Sequence, residues 1–218
     1  KPLFGLPGYP TSAMIIFDVF LAPLLRALAG VGKRGLRKIK AKAAMRLYSS
    51  RGRYEYMLVN LVKGSEDEYS AYPLLTGSGA ITTFAEADGF IEIHENTEMV
   101  AEGTSLDVIL LSDTIKPADL TIIGSHCVGI DLILSMASKT ASLSAKVINV
   151  GSSGGLAAVC RGESDISGTH LINESTGEYN LPFLRKLRVA DKAYLVRGYD
   201  REQGFLITRE NLKDIESM

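Results

Sequence analysis

The chain has 218 residues, of which 46% are hydrophobic and 22% are charged, and its formal net charge is −1. This composition excludes a wholly disordered chain, which would be poorer in apolar residues and further from neutrality. Two cysteines are too few for a disulfide scaffold, and 21 glycines with 7 prolines are too few for a collagen-like repeat.

The near-neutral total hides two blocks of opposite charge. Ten Lys and Arg residues and no acid lie between Arg26 and Tyr54, whereas eleven acids and one lysine lie between Glu55 and Ser112. Such a split is typical either of a basic surface with an anionic partner or of two faces that pair. Only Tyr48 and Tyr54 interleave with the basic residues as stacking groups. We therefore expect pairing and solvated surface, and no nucleic-acid partner.

Strand and helix patterns divide the chain into three predicted segments, residues 1–35, 36–112 and 113–218. The first combines a loop rich in Pro and Gly with an apolar run from Ala13 to Leu25, which predicts a buried amphipathic helix. Thr11 or Ser12 is the expected N-cap, and Gly30 lies at the C′ position. The run is shorter than a membrane span needs, so we expect no membrane partner.

The second segment predicts a small, mostly-β barrel or sandwich. Alternation of polar and apolar residues over Tyr54–Val59 and Phe90–His94 indicates strands, and the apolar run Val108–Leu111 indicates a buried strand. Thr82–Ala87 fits one short helix inside this segment. Gly- and Ser-rich turns separate the elements.

The third segment alternates strands with helices, which is the order of an α/β doubly wound parallel sheet. Its strands are expected at 120–123, 146–150, 165–172 and 193–196, and its helices at 130–137 and 156–160. Two strand-to-helix turns, Ile123–Gly129 and Val150–Gly155, would meet at the carboxyl edge of this sheet, where ligands bind.

These two turns are the candidate binding site. Each opens a helix whose free N–H groups favour an anion, and serine hydroxyls add neutral donors. We expect a small oxyanion to be bound by Ser125, Ser152, Ser153 and Gly154. The alternatives are that Gly and Ser only form tight turns, or that Gly151–Gly155 is the nucleophile turn of a serine hydrolase. In that hydrolase Ser153 would act with Asp165 and His170.

The opening residues resemble a motif of the molybdopterin molybdenumtransferases, the MoeA and gephyrin family. The loop Gly5–Ser12 is similar to the family's Gly-Leu-Pro-Gly-Asn-Pro-x-Ser sequence, with Tyr9 in place of Asn. Arg51–Tyr56 and Leu75–Gly89 are similar to its arginine-containing barrel strand and its Gly-Ser-Gly turn. Residues 113–218 resemble a truncated periplasmic-binding-protein-like domain of the LysR substrate-binding type.

The resemblance implies a reaction, site residues and partners. The family ligates molybdate to adenylylated molybdopterin with magnesium, so this chain would be part of a molybdenum cofactor biosynthesis enzyme and inactive alone. The magnesium ligands would lie outside the chain, and molybdopterin would be a substrate. The implied catalytic residues are Pro7, Pro10 and Ser78, and the implied substrate-binding residues are Gly8, Arg51, Arg53 and Gly77.

The resemblance also implies the setting in which the chain acts. Its partners would be molybdopterin-AMP and molybdate or tungstate, in a cytoplasmic homodimer. The third segment would then either deliver the oxyanion to the enzyme or act as a ligand-sensing module without catalysis of its own.

Overall fold

The computed structural model describes residues 3–32, 35–74, 81–115, 118–187 and 193–199, together with Arg209. Its first element is a continuous helix made of α1 (Pro10–Ile16), a π-helical turn (Phe17–Leu21) and α2 (Ala22–Leu28). Tyr9 is the N-cap, not Thr11 or Ser12, because Pro10 occupies the first helical position, to which its fixed φ is suited. Gly30 has a φ of 67° just beyond the helix, as predicted.

This helix is mostly exposed, so the prediction of a buried helix is wrong. Ile15 and Val19 pack against the barrel, whereas Phe20 and Leu25 are exposed. Within the described ranges, the helix Pro10–Leu28 is the one element long and apolar enough to cross a membrane. It is longer than the apolar run from Ala13 to Leu25 that predicted it. A core helix of a soluble protein and a signal sequence meet the same criterion of length and composition.

Five strands close into a small barrel. In spatial order they are β1 (Lys38–Ala43), β4 (Tyr69–Pro73), β3 (Glu55–Lys63), β5 (Gly89–Ile93) and β7 (Ser105–Leu110). The barrel interior is filled by apolar side chains, among which Val59, Ile91 and Val108 are at most 1% exposed. Three short elements complete this part of the chain: β2 (Leu47–Tyr48), β6 (Met99–Val100) and α3 (Ile81–Glu86).

The two charge blocks meet on the barrel surface. Lysines alternate with Ile and Ala along β1, so the lysines face solvent. Lys40 Nζ lies 2.8 Å from Asp107 Oδ1 on β7, and Lys42 pairs with Glu68 beside β4. The hydrogen bond from Lys40 lowers the pKa of Asp107. The charge split therefore reflects pairing within one domain, and part of the basic block is a strand.

The α/β part contains a two-stranded parallel sheet. β8 (Leu120–Gly124) pairs with β9 (Ala145–Asn149), and α4 (Val128–Ala137), α5 (Gly151–Cys160) and α6 (Leu181–Lys186) follow. The strand predicted over 165–172 is wrong, because Ile166 and Ile172 form only isolated bridges. Side chains supplement the few backbone bonds there: Ile123 N–H donates to the carbonyl oxygen of Ile166 at 3.2 Å and to Ser164 Oγ at 3.0 Å, and Thr121 N–H donates to Asp165 Oδ2 at 2.8 Å. Residues 193–199 have no regular structure.

One hydrophobic cluster joins the barrel to the α/β part. Its buried members come from both, and they are Ala44, Val62 and Tyr72 with Ile123, Ile148 and Ala158. Burial of this shared apolar surface favours contact between the two parts.

Candidate functional site

The carboxyl ends of β8 and β9 form the candidate site. Ser125 follows β8, and Ser152 lies in the first turn of α5, one residue after the positive-φ Gly151 that ends the turn from β9. Ser125 N–H donates to the carbonyl oxygen of Gly168 at 2.9 Å. Val150 N–H donates to the carbonyl oxygen of Gly124 at 3.1 Å, so the two predicted turns meet. The structure adds a loop around Gly168, here called the Gly168 loop, which the predicted site does not include.

Glycine allows these three segments to pack closely. A Cβ added to Gly155 would lie 2.2 Å from Ser167 Oγ and 2.6 Å from Gly124 Cα. A Cβ added to Gly168 would lie 2.4 Å from the carbonyl oxygen of Ser125. Ser167 Oγ is buried and has no hydrogen-bond partner among the described residues. A larger residue at Gly155 would push α5 away from β8, and a larger residue at Gly168 would push the Gly168 loop away from β8.

The Ser152 hydroxyl is engaged with His170. Ser152 is 6% exposed, and its Oγ accepts a hydrogen bond from the backbone N–H of His170 at 3.1 Å. His170 Nδ1 lies 3.2 Å from the same oxygen. When the imidazole is neutral and Nδ1 accepts, the Ser152 proton is directed at the ring rather than at a ligand. No motif or periodicity indicates this contact, because Ser152 and His170 are 18 residues apart.

The structure does not assemble the hydrolase triad. Ser153 is exposed on the first turn of α5, next to the half-buried Gly154. The Asp165 carboxylate accepts from the N–H of Thr121, at the start of β8, whereas the triad would need it near the carboxyl end. His170 contacts Ser152 instead of Ser153. This geometry disfavours Ser153 as a nucleophile.

The loop that precedes α1 presents its predicted site residues to solvent. Pro7 and Gly8 are exposed, and Pro10 is half-buried at the start of α1. A shallow, mostly apolar groove of about 280 Å³ lies beside this loop, and it is lined by Leu6, Ala13, Met14, Phe17 and Asp18.

The predicted barrel residues are only partly described. Arg51 lies in the turn before β3, where its Nε is 3.2 Å from Glu98 Oε1 and its side chain is 86% exposed. Arg53 is also exposed. Gly77 and Ser78 lie outside the described residues. No contact recorded within the described ranges joins these arginines to the Pro7–Pro10 loop, so a shared role stays a prediction.

Comparison with known families assigns both parts of the chain. Residues 40–111 match the model of the MoeA C-terminal region, domain IV, and residues 134–218 match the model of the PBP superfamily domain. The chain therefore carries a MoeA domain IV followed by a PBP-like domain. The small five-stranded barrel is the former, and the α/β segment is consistent with part of the latter.

The relatives with known names are consistent with this assignment. Molybdopterin molybdenumtransferase 1 of Mycobacterium tuberculosis is 29% identical over 116 residues, which are 51% of this chain and 27% of the relative. Molybdopterin molybdenumtransferase 2 of the same species is 32% identical over 107 residues, or 49% and 26%. The chain thus spans about a quarter of these relatives. A solved molybdopterin biosynthesis MoeA protein from Pyrococcus horikoshii is 42% identical, with a TM-score of 0.40 over 52% of this chain and 27% of that one.

Proposed function

We propose that this chain, a MoeA domain IV joined to a PBP-like domain, is part of a molybdopterin molybdenumtransferase that ligates molybdate to adenylylated molybdopterin. The match of residues 40–111 to the MoeA C-terminal region carries the proposal, and relatives named for that activity support it. Because the chain spans about a quarter of those relatives, the activity belongs to a longer protein. We place that protein in the cytoplasm as a homodimer.

In this proposal, Arg51 and Arg53 bind the phosphate of the pterin substrate. A guanidinium group can donate two parallel hydrogen bonds to a phosphate. The Arg51–Glu98 pair is largely exposed, and exposed ion pairs contribute little stability, so a phosphate could replace Glu98 at small cost. Pro7, Gly8 and Pro10 would shape the loop on one side of the cleft, and Gly77 with Ser78 would form its other wall.

The described residues contain no group of three or more His, Cys, Asp or Glu residues that could hold a metal ion. That the magnesium implied by the family has its ligands elsewhere in the longer protein remains part of the proposal, and no step of the reaction is assigned to this chain's carboxylates.

We propose further that the PBP-like part binds molybdate or tungstate at the carboxyl edge of β8 and β9. The match to the PBP superfamily supports a binding role, and the turns supply donors without a full positive charge. Ser125 and Ser153 would donate through their hydroxyls. Ser152 would donate through its backbone N–H, because its hydroxyl is engaged with His170. Gly154 would let the backbone come near the ligand.

Calorimetric titration of the full chain with molybdate, tungstate and sulfate tests this binding site. The Ser125→Ala/Ser153→Ala double variant should lose at least about tenfold in affinity, since each lost neutral hydrogen bond contributes roughly 1 kcal/mol. Ser138→Ala, at the far end of α4, is the matched control and should bind as the wild type does. Equal heats for the double variant and the wild type would contradict the serine assignment. An organic ligand in place of the oxyanion would favour the sensing alternative.

The transferase proposal is tested in the longer protein. Arg51→Ala and Arg53→Ala should raise the KM for adenylylated molybdopterin, because each removes a cation that binds its phosphate. Lys40→Ala, an exposed cation on β1, is the control. If all three variants show the wild-type KM, the arginines do not bind the substrate.

A further inference from the structure

We propose that Arg161 and Glu163 lock the α/β part onto the barrel, so that the two parts form one rigid unit and the PBP-like part does not move on a tether. This interface, defined here as the domain lock, consists of side chains from the segment after α5 and acceptors and donors from the barrel. None of its residues belongs to the candidate binding sites described above.

Glu163 is the centre of the domain lock. It is 4% exposed, although it carries a carboxylate. Ser70 Oγ donates to its Oε1 at 2.5 Å, and the Tyr72 hydroxyl donates to its Oε2. Both donors lie on β4 of the barrel. Arg161 Nε donates to Oε1 at 2.9 Å and supplies the opposite charge. A buried carboxylate from one part is thus bound mainly by the other part.

Arg161 extends the same network along the barrel. Its Nη2 lies 3.1 Å from the Tyr72 hydroxyl and 3.3 Å from the carbonyl oxygen of Ala44, just after β1. Its Nη1 lies 3.1 Å from Glu102 Oε1, beyond β6. The guanidinium therefore contacts three separate segments of the barrel. Because the fork of an arginine is planar and rigid, these contacts define an orientation as well as a position.

A second polar contact also joins the two parts. Lys146 Nζ on β9 is 2.6 Å from Asp88 Oδ2 and 3.0 Å from the carbonyl oxygen of Leu61 on β3. The Lys146 and Asp88 side chains are 15% and 8% exposed. Asp88 also accepts from the N–H of Leu61 at 2.7 Å, so it is already held in place by the barrel. Two separate polar contacts, together with the shared apolar cluster, oppose rotation of one part against the other.

The physical cost of opening the domain lock is high. Separation would leave Glu163 without its barrel donors and would expose the shared apolar cluster to water. Removing one partner from a buried ion pair is strongly destabilising, because the remaining charge is buried without compensation. The docked arrangement is therefore expected to dominate in solution.

The lock has a consequence for the candidate oxyanion site. Helix α5 carries Ser152 and Ser153 in its first turn, and Arg161 directly follows its last residue. Ten helical residues span roughly 15 Å, so one rigid helix connects the binding edge to the lock. If the proposed oxyanion function holds, the ligand is bound at a fixed place relative to the barrel, which favours sensing in place over delivery by a swinging domain. The lock itself does not depend on that function.

Hydrogen exchange and urea unfolding of the full chain test the lock. The wild type should unfold in one transition, with the barrel strand 69–73 and the sheet strands 120–124 and 145–149 losing protection together. Glu163→Ala should raise amide exchange in 69–73 by about 100-fold or more and separate the transition into two. Glu102→Gln is the matched control, because it changes only the exposed ion pair between Glu102 and Arg161, and it should behave as the wild type does.

A double-mutant cycle covers the case in which Glu163→Ala fails to fold. Glu163→Gln and Tyr72→Phe keep the shapes of their side chains, and a shared hydrogen bond predicts that their effects on the unfolding midpoint are strongly non-additive. Additive effects, or two separate transitions in the wild type, would overturn the proposal. Neither experiment contains an anion, so failure of the lock is distinguishable from failure of the oxyanion site.

Discussion

Gly155 offers a sharp test of how the candidate site is built. In Gly155→Ala the new Cβ would meet Ser167 Oγ at 2.2 Å, Gly124 Cα at 2.6 Å and the carbonyl oxygen of Ile123 at 2.7 Å. Two of these three atoms belong to the backbone of β8, so rotation of a side chain cannot relieve the contact. Helix α5 would have to move away from β8, and the buried Leu156 would lose packing.

The magnitude follows from two opposing effects. Overpacking a well-packed site costs about 1–3 kcal/mol, and the backbone contacts place this site near the upper end. Alanine in place of glycine inside a helix recovers about 1 kcal/mol. We therefore expect Gly155→Ala to lower the free energy of unfolding by about 2 kcal/mol, or Tm by about 4–8 °C for a chain of this size.

Urea unfolding followed by circular dichroism measures this difference. Ser153→Ala, at an exposed position in the same helix, is the control and should be neutral or slightly stabilising. A Gly155→Ala variant as stable as the wild type would show that α5 does not pack against β8 as described.

Three further predictions concern other parts of the structure. Ile91→Ala, in the barrel interior, should cost about 2–5 kcal/mol in urea unfolding, whereas Leu25→Ala on the exposed helix should cost far less. Burial and a hydrogen bond to a buried carboxylate raise the pKa of Tyr72 above its ordinary value near 10. As the pH rises, the unfolded state loses the Tyr72 proton first. The contribution of Tyr72 to the free energy of unfolding should therefore be constant below pH ~10 and fall above it. Tyr72→Phe should reduce this alkaline loss, measured as denaturation midpoints over pH. Lys40→Ala should leave the urea midpoint unchanged, because its pair with Asp107 is exposed.

Side-chain alternation allowed much of the barrel to be predicted. The patterns around Tyr56 and Ile91 correspond to β3 and β5, and the apolar run at Val108 corresponds to β7. β1 is harder to recognise, because its polar positions are all lysines. The charge of this basic block favours its interpretation as a solvated surface rather than as a strand. Its strict alternation of Lys with Ile or Ala was the signal that could have identified it.

The candidate site is harder to predict from sequence than the fold around it. The strand-to-helix turns after β8 and β9 lie at one edge of the sheet, because parallel strands align their carboxyl ends, whereas the oxyanion-binding role of Ser125 and Ser152 stays a prediction. Residues 165–172 are predicted as a strand, but only Ile166 forms a bridge to β8, and the side chains of Ser164 and Asp165 accept further hydrogen bonds from that strand. Such side-chain bonds to a strand edge depend on three-dimensional position, so periodicity does not reveal them. The burial of Glu163 is likewise not predictable from the sequence, because its barrel donors Ser70 and Tyr72 lie about 90 residues away along the chain.

The pairing of β1 with β7 also affects how the chain is made. Their register runs from Lys38 opposite Ile109 to Lys42 opposite Ser105. The first strand of the barrel therefore cannot complete its pairing until the last strand has been synthesised. During synthesis from the N-terminus, β1 is exposed with an unpaired edge until residue 110 has emerged, and such edges promote aggregation. Lysines on an edge strand oppose that association. We therefore expect the lysine row of β1 to protect the nascent chain before it becomes part of a closed surface.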